Sequence, residues 1–270
     1  MSNKMKIFFS TVLLAAVVAI CSVFANAGSD EGSSDRLSES ESTGQSLLDV
    51  KGYDGLRLER KSYKVVYSKE WRLPVAVAWH LTREHVYGKN QRSKMQFTED
   101  MDVPSPRATW QDYARSGYSR GHMCPAGDNK WDEEALRQTF LLTNICPQMY
   151  ELNAGDWNEL EKACRTWARR YGDIYIVCGP ILLNKVHRTI GRNKVVVPEA
   201  FYKVVLRMDA SGKDGTGIGF IYRNENVNKK MTSYVNSIDD VERITGLDFF
   251  SALPDKIEKA AEKKCNLNEW

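Results

Sequence analysis

The chain is predicted to fold as an α+β domain in which a mixed or largely antiparallel sheet lies between helices. Three observations predict it. Short runs that alternate or are continuously apolar, rich in β-branched residues, recur at 63–67, 75–81, 174–178, 194–197, 200–207 and 217–222, each of strand length. Between Gly155 and Gly172, Trp157, Leu160, Cys164, Trp167 and Tyr171 recur every three or four residues, as on a helix with one apolar stripe. Ser237 with Asp240 has the spacing of a capping box that opens a short helix, and Gly246 is placed to close it.

Taken in order, the chain begins with Lys4 and Lys6, an apolar run from Ile7 to Phe24, and Ala25-Asn26-Ala27. Residues 1–27 are read as an export signal cleaved after Ala27, which makes the expected product secreted or periplasmic. A retained membrane anchor is disfavoured by the acidic, small-residue flank after the run. A lipid-modified Cys21 is disfavoured by Ile20, where a small residue is wanted. Residues 28–50, rich in Ser, Gly and Glu, are read as a disordered acidic tether. Residues 51–270 then carry a net charge of +6 and all seven tryptophans, enough for one sizeable core and one domain. That surplus favours an anionic partner without identifying one.

Within the domain, Pro104 and Pro106 force irregular chain after Met101, residues 113–118 lead through Gly117 into a strand at Ser119-Arg120-Gly121-His122, and residues 132–140 form a short helix. Cysteine usage is in keeping with an oxidising compartment: Cys124, Cys146, Cys164, Cys178 and Cys265 follow the signal, an odd number whose pairing stays open. No Cys-x-x-Cys or His-x-x-x-His spacing occurs, which sets a zinc site aside.

Candidate chemistry gathers around His122. A lone histidine is usually structural or at the surface. Here Arg120 offers a phosphate ligand beside it, Gly121 permits close backbone approach, and Asn153 and Glu161 add a carboxamide and a carboxylate downstream. An imidazole can take a proton from water, an oxygen ligand suits a hard cation such as Mg²⁺, and arginines hold phosphate oxygens. The combination suits cutting phosphodiesters. Asn153 also reads as a helix cap, and Glu161 with Arg165 as an ordinary i, i+4 ion pair of a few tenths of a kcal/mol. On one helix the three would share a slowly drifting face. Cys124, two residues after His122, offers a thiol nucleophile but lacks an orienting third residue. His80, His85 and His187 are left structural.

Ser116-Gly117-Tyr118-Ser119-Arg120-Gly121-His122-Met123, Thr143-Asn144-Ile145-Cys146-Pro147-Gln148, Leu152-Asn153 and Trp157-Asn158-Glu159-Leu160-Glu161 are the pieces in which the chain resembles the sugar-non-specific ββα-metal endonucleases, the family that includes endonuclease G. The resemblance extends more thinly from Val65 to Leu253. It implies a ββα-metal nuclease fold, in which a hairpin and a helix clasp one divalent ion, Mg²⁺ or alternatively Mn²⁺. It further implies Asn153 as the metal's protein ligand, His122 as the base that activates water, Glu161 orienting a water on the metal, and Arg120, Arg165 and Arg92 at the phosphate. At Arg92 the register is ambiguous, and Lys94 stays open. Asn144 and Gln148 are expected to support the loops. The implied substrates are DNA and RNA, cut to 5′-phosphate ends. No basic recognition helix or zinc finger is present, so sequence should be read poorly. One departure stands out: the family usually writes Asp-Arg-Gly-His, and Ser119 occupies the Asp position. It keeps open the alternative of a weak or inactive nucleic-acid-binding homologue.

Overall fold

The strand-forming runs pair as their apolar alternation predicts. The computed structural model describes residues 44–270, within one compact unit, Glu39–Trp270. The export signal and most of the tether lie outside the described residues. The strands are β1 (Leu56–Glu59), β2 (Lys64–Ser68), β3 (Leu73–Leu81), β4 (Ser119–His122), β5 (Ile145–Gln148), β6 (Ile174–Ile181), β7 (Thr189–Ile190), β8 (Val195–Val196), β9 (Ala200–Met208), β10 (Gly215–Arg223) and β11 (Val235–Asn236). The helices are α1 (Trp110–Tyr113), α2 (Glu133–Gln138), α3 (Tyr150–Ala154), α4 (Asp156–Tyr171), α5 (Ile238–Thr245) and α6 (Asp255–Glu262).

Seven strands form one sheet in the order β1-β2-β3-β6-β9-β10-β11, and every neighbouring pair is antiparallel. Side chains alternate between its faces with period two. On one face Val77 and Trp79 of β3, Ile176 and Cys178 of β6, and Phe201 and Val205 of β9 share a core with Trp157, Leu160, Cys164 and Trp167 of α4. On the other, Ala76, Ala78, Val177, Tyr202 and Val204 share a second core with Ile238 and Val241 of α5 and Ala261 of α6. Leu47, Leu48 and Val50, read from composition as tether, are buried in this second core. Lys51 and Asp248 exchange backbone hydrogen bonds of 3.0 and 3.2 Å beside them.

Local signals act where expected. Asp132 caps α2 by accepting from the Ala135 amide at 2.8 Å. The Ser237 hydroxyl accepts from the Asp240 amide at 3.0 Å, and α5 stops at Gly246 in the left-handed region. Two details differ from expectation. Tyr113 ends the short helix α1, whose Thr109–Asp112 capping box was not anticipated, and Gly117 turns the chain at φ +86° before β4 begins. Asn153 is not a cap of the long helix; it sits in α3. Gly155, at φ −97° and ψ −109°, breaks the path between α3 and α4. A Cβ there would strike the Glu151 carbonyl and the Asn228 side chain, so glycine makes the break sterically open.

Candidate active site

The motif strand β4 pairs with β5 from Ser119 opposite Gln148 to His122 opposite Ile145, and α3 packs on β4. A Cβ on Gly121 would run into the Gln148 side chain, so glycine lets the two strands close. This small two-stranded sheet and the α3–α4 turn form the strand-strand-helix frame.

His122 is buried between rings, with Phe97 at 5.3 Å and Phe140 at 4.9 Å between centroids. Its carbonyl accepts from Trp157 Nε1 at 3.2 Å, which ties β4 to α4. Its Nε2 has no partner among the described residues. Burial, then Arg92 and Arg120, push the imidazole down to about 3, so it is neutral at physiological pH, as a proton acceptor must be. Phe97 also lines an open cleft of about 480 Å³ together with Arg92, Trp110, Arg115, Tyr118, Ser119, Arg120 and Asn153. Arg120 lies over the Phe97 ring at 4.5 Å. Arg92 therefore reaches the cleft and the field at His122, whereas the exposed Lys94 lines none of it. A larger groove of about 690 Å³ beside Arg107 and Arg192 contains none of the motif residues.

Glu161 is half-buried on α4, and burial raises its carboxyl to about 7 against the pull of Lys203, Arg165 and Arg92. The ordinary i, i+4 pair with Arg165 does not form. Arg165, expected at substrate phosphate, instead turns to the buried Asp128 at 2.8 Å. The other Asp128 oxygen accepts from Trp79 Nε1 at 3.1 Å. Burial pushes the Asp128 carboxyl up, against Arg165, Lys203 and Trp79. The 2.8 Å contact joins it to Arg165, whose guanidinium Asp128 raises against the opposing effect of burial.

Asn144 clamps the loops: it donates to the Cys124 and Thr139 carbonyls and accepts from the Cys124 amide. Gln148 is fully buried with both amide atoms unpartnered. The thiol reading of Cys124 fails, because burial pushes this thiol well up and it accepts a contact from Asn129. Among the described residues all five cysteines are free and four are buried, so the bridges left open by the odd count are not formed. His187 pairs with Glu199 at 3.0 Å, His80 stacks on Tyr175, and His85 stacks on Trp131.

Sequence reading missed Asp128, Trp79 and Asn224. Asn224 accepts from the Met149 amide that opens α3, and donates to the Pro147 and Pro198 carbonyls. These contacts span 26 to 77 residues along the chain, so no local spacing signals them.

Residues 47–256 match the family model described as DNA/RNA non-specific endonuclease. The chain belongs to this family. Relatives within it include Nuclease EXOG, mitochondrial, of Danio rerio, 38% identical over 200 residues that cover 69% of this chain and 58% of the relative. Nuclease C1 of Cunninghamella echinulata var. echinulata is 36% identical, covering 73% and 83%. Endonuclease G, mitochondrial, of Homo sapiens is 32% identical, covering 76% and 72%. The chain thus spans less than two thirds of the length of the EXOG relatives. A crystal structure of an EndoG/EndoGI complex superposes with a TM-score of 0.72 at 29% identity, covering 77% of this chain and 90% of that one. The family's fold, a ββα-metal nuclease frame, is the fold described above.

The residues present fit a hard divalent cation. Asn153 and Glu161 offer oxygen donors, and unpartnered buried polar atoms at His122 and Gln148 leave room for further polar partners.

Proposed function

We propose that the protein is a metal-dependent endonuclease that hydrolyses phosphodiester bonds of DNA and RNA with little sequence preference, leaving 5′-phosphate ends. The observation that carries this reading is a neutral, buried His122 with an unpartnered Nε2, set between Arg92 and Arg120 beside a cleft that also bears Asn153. Arg92 and Arg120 hold phosphate oxygens by charge-assisted hydrogen bonds, without reading bases. His122 takes the proton of the attacking water. Asn153 would hold Mg²⁺, with Mn²⁺ as the alternative, and the ion would supply charge stabilisation to the pentavalent transition state and the departing 3′ oxygen. A neutral carboxamide leaves the ion's charge undiminished for that work. Glu161, on α4, would orient a water on that ion. Arg165 acts one step back, fixing Asp128.

A bound phosphodiester brings negative charge to both arginines. It therefore raises the His122 imidazole from its low starting value towards the range in which it exchanges protons readily. The test is incubation of the full chain with plasmid DNA and with RNA, in Mg²⁺ or in EDTA. Cleavage of both that EDTA abolishes supports the reading. Binding without cleavage would establish the inactive homologue instead.

The N-terminal segment, with Lys4 and Lys6 before a largely apolar run, supports export to the periplasm or beyond. The names of the EXOG and endonuclease G relatives instead read mitochondrial. Fractionation of tagged full chain decides between them.

A further inference from the structure

Trp110, the first residue of α1, is 53% exposed. Of the seven tryptophans it alone is exposed; the other six are buried or half-buried. Each of those six meets an aromatic ring or a cation: Trp71 meets Tyr53, Trp79 and Trp157 meet Lys203, Trp131 meets His85, and Trp167 meets Trp270. Trp110 meets neither among the described residues. An indole held in water forgoes the burial that stabilises the other six. A single exposed apolar residue needs no explanation unless its surroundings supply one.

Here they do. Trp110 lines the 480 Å³ cleft together with Arg92, Arg115 and Arg120, and no carboxylate lines it. None of these three guanidiniums has an ion-pair partner among the described residues. The larger groove shares α1 through Thr109, Gln111 and Asp112, but it carries the carboxylates of Glu99 and Asp112, and Glu99 pairs with Arg107 at 3.0 Å. A polyanion therefore fits the cleft with Trp110 and not the groove. The backbone that presents the indole is pinned from both sides. Asp112 accepts from the Thr109 amide at 2.8 Å and from its hydroxyl at 2.9 Å, and from the Asn193 main-chain and side-chain amides at 2.9 and 2.8 Å. An aromatic face on fixed backbone loses little freedom when a ligand settles on it.

Resting on the nuclease reading, we propose that Trp110 is a base-stacking subsite: its indole takes an unpaired nucleobase of the substrate strand whose phosphates lie on the arginines of the same cleft. Every base has a π-face, so such a contact adds affinity without reading sequence. In an intact duplex both faces of each base are covered by its neighbours, so the indole engages a strand where it is unpaired.

The test measures binding of the full chain and of its Trp110→Ala and Trp110→Phe variants by fluorescence anisotropy in EDTA, where the proposed reaction does not run. Three labelled ligands of equal length are compared: an oligothymidylate, the same backbone carrying abasic residues, and a blunt duplex. Trp110→Ala should weaken the oligothymidylate about five- to 150-fold more than either of the others, the worth of one base stacked on an aromatic ring. Trp110→Phe keeps a π-face and should recover part of that loss. A loss equal on all three ligands, no loss on the oligothymidylate, or no recovery with phenylalanine overturns the proposal, because a structural or backbone contact does not depend on the base. An unsubstituted chain that binds the oligothymidylate no more tightly than the abasic strand overturns it as well. A chain that shows the expected pattern in EDTA but cuts nothing in Mg²⁺ loses the nuclease reading alone and keeps the subsite.

Discussion

At the scale of single residues, the proposed site rests on a histidine whose surroundings hold it neutral and on Asn153, the amide proposed to hold a cation. His122→Ala should lower turnover by about 10²- to 10⁴-fold, the ordinary worth of a general base, while the fold stays intact because the lost ring leaves the Trp157 bond to the His122 carbonyl in place. A purified variant that keeps more than a tenth of the rate would take His122 out of the base role. Asn153→Ala should raise the Mg²⁺ concentration needed for half-maximal rate as well as lowering the maximum. A Mg²⁺ titration that overlays the unsubstituted protein would remove Asn153 from the ion. Residues such as these were legible because they stand within short motifs. Arg165 was only half legible: its position on α4 was readable, but its partner Asp128 lies 37 residues earlier in the chain.

At the scale of elements, two junctions hold the frame. The first joins α4 to the turn after β4 through Arg165 and Asp128. Arg165→Ala leaves a fully buried carboxylate without its cation, which should destabilise the protein by about 3 to 5 kcal/mol. Urea unfolding measures this, and an unchanged midpoint would mean that Asp128 is protonated in the fold. The second junction is the β4–β5 pair. Ser119 faces Gln148 across it and lines the cleft beside Arg120. A carboxylate there would sit next to the phosphate-facing arginine, whereas serine offers a neutral hydroxyl. Ser119→Asp should change the rate by less than about tenfold, or 1.4 kcal/mol of barrier. A hundredfold gain in the same assay would mark the natural chain as a crippled nuclease. The break at Gly155 belongs to this scale too. Periodicity predicted one helix after Gly155, and the crowding at that glycine, where a Cβ would meet the Glu151 carbonyl and the Asn228 side chain, was invisible to any local pattern.

At the scale of the whole molecule, buried titratable groups make stability depend on pH with a definite sign. Burial raises Glu161 and Glu242 to about 7, and burial with neighbouring carboxylates raises Glu262 to about 8. Each contributes stability that is present below its ordinary value of 4.5 and lost as pH rises through the folded value. His122, lowered to about 3, contributes stability present above 6.5 and lost below it. The two trends oppose each other between 4.5 and 6.5, and above 6.5 the carboxyls act alone. The thermal midpoint of the metal-free protein should therefore fall between pH 6.5 and 8. A midpoint that rises over this range in calorimetry would show that these carboxyls are ionised without cost in the fold.

The sequence by itself determined the elements and the family. Period-two runs specify strands, a three-and-four stripe specifies α4, a serine and a glycine bracket α5, and the Ser-Arg-Gly-His and Leu-Asn pieces carry the family resemblance. These signals are local, so they survive without a fold. Tertiary structure alone decided that every neighbouring pair in the main sheet is antiparallel, that Leu47, Leu48 and Val50 belong to the core, and that the cysteines stay unpaired. It also decided the partners of Arg165 and Lys203. Burial of a charge is a property of the surrounding chain, and only the folded arrangement of segments distant in sequence brings Trp79 of β3 and Trp157 of α4 around the Lys203 ammonium of β9.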